Sequence, residues 1–161
     1  GWTPVEPKPT YYQLPAAAGV NASISDIALW MRAQLGERPD VLPPQVLDVV
    51  HTSRVDTPGE LAGPRWRRER VRAAGYALGW RVFDYAGHTM VFHAGAVQGY
   101  RAMVALLPDQ SFGVAVLWNS NSGVPGGLLP RIVDRQLQLD GPDWLELNKL
   151  QVAASRRKPH G

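Results

Sequence analysis

Apolar positions change their spacing twice along this chain. Between Ser23 and Gly36 they recur every three or four residues, and Ile24, Ile27, Ala28, Met31 and Leu35 fall on one face, which predicts an amphipathic helix. Ser23 or Ser25 can cap it, because a side-chain oxygen accepts from the unpaired N–H groups of the first turn. Gly36 is a natural stop. A second helix is predicted from Pro44 to about His51, with Pro44 in its first turn and Val46, Leu47, Val49 and Val50 apolar. From Tyr76 the texture turns to strand: Tyr76–Phe83, His88–His93, Tyr100–Leu107 and Phe112–Asn119. Tyr85-Ala86-Gly87 reads as a turn, and Pro108-Asp109-Gln110-Ser111 as the tight turn of a hairpin. Helical spacing returns over Leu128–Leu139 through Leu129, Ile132, Val133, Gln136 and Leu137, and Gly141-Pro142 ends it. Trp144–Ala154 reads as a last, peripheral helix.

Two stretches carry no such period. Residues 1–18 are rich in proline and then small, an extended lead-in with Tyr11, Tyr12 and Leu14 as anchors. Residues 52–75 hold much arginine and read as a long surface excursion. The order helix, helix, loop, strands, helix is α+β: an antiparallel sheet, a meander, with flanking helices. One helix after four strands leaves a sheet face uncovered, which the two N-terminal helices or a partner segment are expected to fill. Residues 1–141 form the main unit, with helices within 23–51, strands within 76–119 and a helix over 128–139. Residues 142–161 are expected to be a peripheral helix and a basic tail.

Composition narrows the class. At 161 residues, 45% hydrophobic and 19% charged, the chain reads as one globular domain. No apolar run approaches the roughly 20 residues of a membrane span, and residues 1–10 hold no apolar signal core. Much of the net charge of +3 sits in two clusters: Arg65, Arg67, Arg68, Arg70 and Arg72 around Trp66, and Arg156, Arg157 and Lys158. A nucleic-acid surface is the sharp reading of these clusters. A solvated loop and a basic tail are the plain one, favoured because no nucleic-acid-binding motif accompanies either. With no cysteine, thiolate nucleophiles and Cys-based metal sites are excluded. His51, His88, His93 and His160 lack a ligand spacing, and Asp48 with His51 reads as a helix surface pair. No metal site is expected.

Candidate chemistry gathers at His93-Ala94-Gly95. A small residue and a glycine at a strand end let another backbone approach, and a basic residue beside that gap can hold an anion or move a proton. A hydrolase also needs a nucleophile. There is no Gly-x-Ser-x-Gly elbow, and none of Lys8, Lys149 and Lys158 is expected to complete a Ser-x-x-Lys pair.

Three segments, in order, carry a resemblance over residues 12–122. Pro15-Ala16-Ala17-Ala18-Gly19 through Ser23-Ile24-Ser25-Asp26-Ile27-Ala28 resembles a Pro-Ala-Gly-Gly-x-x-Ser-Ser-x-x-Asp-Met-Ala segment. Tyr76-Ala77-Leu78-Gly79-Trp80 resembles a Tyr-Gly-Leu-Gly-Trp strand. His93-Ala94-Gly95-Ala96-Val97-Gln98-Gly99-Tyr100, with the hairpin running to Asn119, resembles the Lys-Thr-Gly or His-x-Gly motif on the strand edging a cleft. Together they are similar to the C-terminal half of the serine β-lactamase and penicillin-binding-protein-like superfamily, near class C β-lactamases and related esterases and peptidases. The resemblance implies a serine acyl-transfer site with no cofactor. The N–H of Ala96 would be one oxyanion donor, and His93 would stand for the motif's lysine. Ala94, Gly95, Asn119 and Asn121 would contact a small-molecule substrate: a β-lactam, a D-Ala peptide, or a small ester or amide. The family's Ser-x-x-Lys and Tyr-x-Asn motifs belong upstream of residue 1, so the resemblance implies a partner N-terminal half on the same or a separate chain. Relatives are often exported, which makes the periplasm or the exterior the expected location. The alternative is a non-catalytic binding or assembly module of the same fold.

Overall fold

Ser23 and Asp26 start the first long helix reciprocally. The Asp26 N–H donates to the Ser23 hydroxyl at 3.2 Å, and the Ser23 N–H donates to the Asp26 carboxylate at 2.9 Å, satisfying orphan donors of the first turn. The computed structural model describes residues 3–6, 8–18 and 20–147. Its helices are α1 (Pro15–Ala18), α2 (Ile24–Gln34), α3 (Pro44–His51), α4 (Arg65–Arg70) and α5 (Leu128–Gln136). Its strands are β1 (Val55–Asp56), β2 (Val71–Tyr76), β3 (Arg81–Tyr85), β4 (His88–Val97), β5 (Tyr100–Leu107) and β6 (Phe112–Trp118). All six strands form one antiparallel sheet in chain order. No helix of the described residues is long and apolar enough to cross a membrane.

Alternation along the strands gives each sheet face its own core. Phe83, Tyr85, Met90, Phe92, Ala105 and Leu107 point to the face covered by α4 and α5, where Trp66, Leu129, Val133 and Trp144 complete the cluster. Val91 and Leu106 point the other way, to Met31 of α2, with Trp80, Ala77 and partly buried Val50 of α3. The two N-terminal helices thus cover the second face. Full burial of each large side chain contributes about 1.5–3 kcal/mol, and the α5 face holds most of them.

A buried carboxylate ties the α5 face together. Asp134, 1% exposed, accepts from the Tyr85 hydroxyl at 2.6 Å, from the Trp144 indole at 2.7 Å, and from Arg70 at 3.1 Å through both Nε and Nη2. Arg70 also donates to the Asp140 carbonyl. A Cβ on Gly141 would overlap the Asp134 carboxylate. Burial and the bond to Asp134 push the Tyr85 pKa upward, so the phenol stays a donor.

Several expectations change. Residues 52–75 are not a surface excursion: they contain β1, α4 and β2. Trp66 is buried against Phe83, Tyr85 and Phe92. Arg67 lies over the Trp66, Phe83 and Phe92 rings, and Glu60 pairs with both Arg67 and Arg81. Arg65 pairs with Glu69 at 2.6 Å. Within the arginine run Arg67 and Arg70 are half-buried internal support, whereas Arg65, Arg68 and Arg72 are exposed. The strand expected over Tyr76–Phe83 is broken at 77–80, where the Ala77 N–H bonds the Trp80 carbonyl at 2.7 Å and Gly79 has φ +82°. Ile24 is 57% exposed rather than inward. His51 turns from Asp48 to Gln34, with its ring nitrogen 2.9 Å from Oε1, and sets its edge on Trp80. Helix α5 stops at Gln136, short of Leu139. Trp144 is core rather than peripheral, and most of the helix expected over Trp144–Ala154 lies outside the described residues.

Candidate active site

Two hairpins decide which backbone groups of β4 are free. Ala86 (φ 53°) and Gly87 (φ 94°) form the two-residue loop between β3 and β4, with Tyr85 opposite His88. Gln98 and Gly99 (φ 79°) form the loop between β4 and β5, with Val97 opposite Tyr100. Residues flanking a two-residue loop exchange hydrogen bonds, and bonded and unbonded positions then alternate. From the first loop, His88, Met90 and Phe92 direct their N–H and C=O to β3. From the second, Val97, Gly95, His93 and Val91 direct theirs to β5. The two alternations agree, so Ala94 and Ala96 face the β3 side.

On that side β3 has already ended. Its last pair with β4 is Arg81 with Phe92, and among the described residues no strand runs beside His93–Val97 there. The 77–80 loop sets this limit by turning the chain from β2 into β3 at Arg81. The N–H groups of Ala94 and Ala96 therefore lie on an open sheet edge. A Cβ added to Gly95 would meet nothing within 4 Å, so the space beside it is open.

His93 sits half-buried at the start of this edge, opposite Val104 and on the α2/α3 face with Val91. Burial lowers its pKa, the Arg81 guanidinium pushes the same way, and a backbone bond to Ala94 opposes them. Its imidazole is neutral at neutral pH, able to donate from one nitrogen and accept at the other.

Sequence thus places His93, Ala94, Gly95 and Ala96 on one edge, and the fold keeps them there. Asn119 and Asn121 follow β6, at the same end of the sheet but two strands from β4, about 10 Å across. Both are exposed, on a turn held by the Trp118 indole to the Ser122 carbonyl at 2.9 Å and by the Ser120 and Ser122 hydroxyls. Of the expected lead-in anchors, Tyr11 accepts the Gln98 N–H at 3.1 Å, whereas Tyr12 and Leu14 are 51% and 70% exposed. Sequence reasoning misses Arg101, which lies opposite Ala96. The two-residue loop at Gln98-Gly99 was the signal that could have found it, because it fixes that register.

The lysine count needs one correction. Ser155-Arg156-Arg157-Lys158 has the Ser-x-x-Lys spacing. It lies in the basic tail, outside the described residues and downstream of His93, whereas the resemblance puts that pair upstream.

The beta-lactamase family description matches residues 1–138. The unguisins hydrolase of Aspergillus campestris is 29% identical over 141 residues, 84% of this chain and 25% of that protein. Protein flp of Staphylococcus aureus is 29% identical over 124 residues, 76% of this chain and 22% of that protein. The chain therefore spans about a quarter of the length of these relatives. An octameric penicillin-binding protein homologue from Pyrococcus abyssi superposes with a TM-score of 0.63 at 22% identity, over 74% of this chain and 25% of that one.

Proposed function

The chain belongs to the beta-lactamase family, and from that premise we propose that it is the C-terminal portion of a serine hydrolase working by acyl transfer. The observation that carries this reading is the outward N–H of Ala96 on an unpaired edge beside His93 and Gly95. A serine attacking an ester, lactam or amide carbonyl creates an oxyanion, which two preorganised N–H donors about 2.7–3.1 Å away stabilise more than they stabilise the ground state. Ala96 supplies one donor and the serine's own N–H the other. Ala94 and Gly95 form a low wall along which the acyl group lies, and Asn119 and Asn121 meet its distal parts. The serine, with its lysine and tyrosine, comes from a polypeptide carrying Ser-x-x-Lys and Tyr-x-Asn, on the same or a separate chain.

His93 takes the place of a lysine in this scheme. A neutral imidazole relays a proton or donates one hydrogen bond, and it holds a carboxylate less firmly than an ammonium does. That favours esters and peptide-type amides over β-lactams as substrates.

Intact-mass measurement after incubating the native protein with a fluorophosphonate tests the reading. The expected result is one covalent adduct, on a serine of a Ser-x-x-Lys segment upstream of this chain. An adduct within residues 1–161 would overturn the division of labour. The absence of any adduct would leave the fold as a binding or assembly module.

A further inference from the structure

Three N–H groups follow one another on the outer side of β4 and its loop: Ala94, Ala96 and Gln98. Gln98 is the first residue of the two-residue loop, and the alternation that turns Val97 to β5 turns Gln98 the other way. The first two donors lie on the open edge. The third is taken: the Tyr11 phenol oxygen accepts the Gln98 N–H at 3.1 Å, from 87 residues earlier in the chain.

Local structure seats Tyr11 there. A 3-10 turn over Pro9–Gln13 fixes its backbone, with the Tyr11 N–H on the Lys8 carbonyl at 3.1 Å. Val5, on the same lead-in, lies against the loop, 3.5 Å from where a Cβ on Gly99 would stand. Tyr11 is half-buried, whereas Tyr12 and Leu14 beside it are exposed. The lead-in thus crosses the tip of the β4–β5 hairpin and leaves one phenol at the end of the edge.

Spacing gives this phenol a consequence. Strand residues rise about 3.4 Å each, so donors two positions apart recur about every 7 Å. A chain laid on a sheet edge bonds at these repeats. It can use Ala94 and Ala96. One repeat past Ala96 it meets an oxygen already on the donor, with an aromatic ring behind it.

We propose that Tyr11 closes the edge beyond Ala96 and so limits the length of substrate accepted on that side of the scissile carbonyl. The proposal rests on reading the β4 edge as the acyl-transfer site. The substrate class is an ester or amide whose group on that side reaches no more than about 7 Å past the Ala96 N–H.

Two measurements on the intact native protein test it. The first follows kcat/KM along two ester series. One runs from 4-nitrophenyl acetate to the octanoate and lengthens the acyl side; the other runs from methyl to octyl acetate and lengthens the alcohol side. In wild type one series should fall off with length. Tyr11→Ala should raise the longest ester of that series about tenfold and leave the shortest within about twofold. Gain in neither series, or an equal change on short and long esters, overturns the proposal. The second needs no turnover and uses Tyr11→Leu, which keeps apolar bulk under the loop but ends short of Gln98. N-acetyl-trialanine amide is titrated while the amide resonances of Ala94, Ala96 and Gln98 are followed. In wild type the first two should shift and Gln98 should not; in Tyr11→Leu all three should shift. A shift of Gln98 in wild type, a Gln98 that stays unmoved in Tyr11→Leu, or no shift at Ala94 and Ala96 refutes it. The expected shifts without turnover of any ester would support Tyr11 as the stop and remove the acyl-transfer reading alone.

Discussion

The two halves of β4 share one strand and differ in almost everything else. His88–Phe92 lies between β3 and β5, and Met90, Val91 and Phe92 are each 0% exposed. His93–Val97 pairs with β5 alone, and Gly95, Ala96 and Val97 are exposed. In the first half the side chains matter, because each fills a core. In the second half the backbone matters, because small side chains leave its donors open to a ligand. The boundary falls opposite Arg81, where the 77–80 loop leads the chain into β3.

The sharpest break of this comparison is on the paired side. Phe92→Ala should cost about 3–5 kcal/mol, since the ring stacks on Phe83 at 5.6 Å and meets Trp66 at 5.5 Å. Chemical denaturation of the native protein checks it, and a loss under 1 kcal/mol would mean the α5 core repacks freely. Next comes Ala96→Pro, which deletes an N–H that no strand accepts and fixes φ near −65°. Proline is tolerated where the missing donor faces away from the ladder. Turnover should drop about 100- to 1,000-fold with the circular dichroism spectrum kept. Retained turnover would remove Ala96 from the oxyanion site.

Gly95→Val is a smaller and cleaner probe of the open half. A Cβ there meets nothing within 4 Å, so stability should change by no more than about 0.5 kcal/mol. In kinetics on a good ester, kcat/KM should fall about tenfold, because the added bulk occupies the substrate's approach. Unchanged kinetics would place the substrate elsewhere.

The smallest expected effect is in pH. Burial lowers the pKa of both His51 and His93 from the ordinary 6.5. As the pH falls through that value the unfolded chain takes up protons before the folded one does, so stability is complete above it and declines below it. His93→Gln should flatten part of that acid loss in thermal melts at pH 5 and pH 7.5. In activity, the wild type should hold its neutral imidazole to a lower pH than an exposed histidine would. An identical pH profile in His93→Gln would show that the imidazole takes no part.

Legibility followed the range of the interactions. The helix over Pro44–His51 and the turns at Ala86-Gly87 and Pro108–Ser111 were readable because caps, prolines and turn residues act within a few positions. Residues 52–75 were misread because their arginines look solvated, whereas Glu60 neutralises Arg67 and Arg81 and Asp134 holds Arg70 from 64 residues away. Val71 and Ala74 give β2 little apolar signal of their own, and β3 supplies its ladder.

By itself the sequence determined the α+β order, the antiparallel meander and the small-residue stretch His93–Ala96, because periodicity, capping and turn chemistry are local. Only the tertiary structure decided that β3 begins only at Arg81, that Ala96 therefore turns an unpaired N–H outward, and that Arg101 lies opposite it. Each of these depends on which strand lies next to which, and strand neighbours are chosen by the packing of both sheet faces at once.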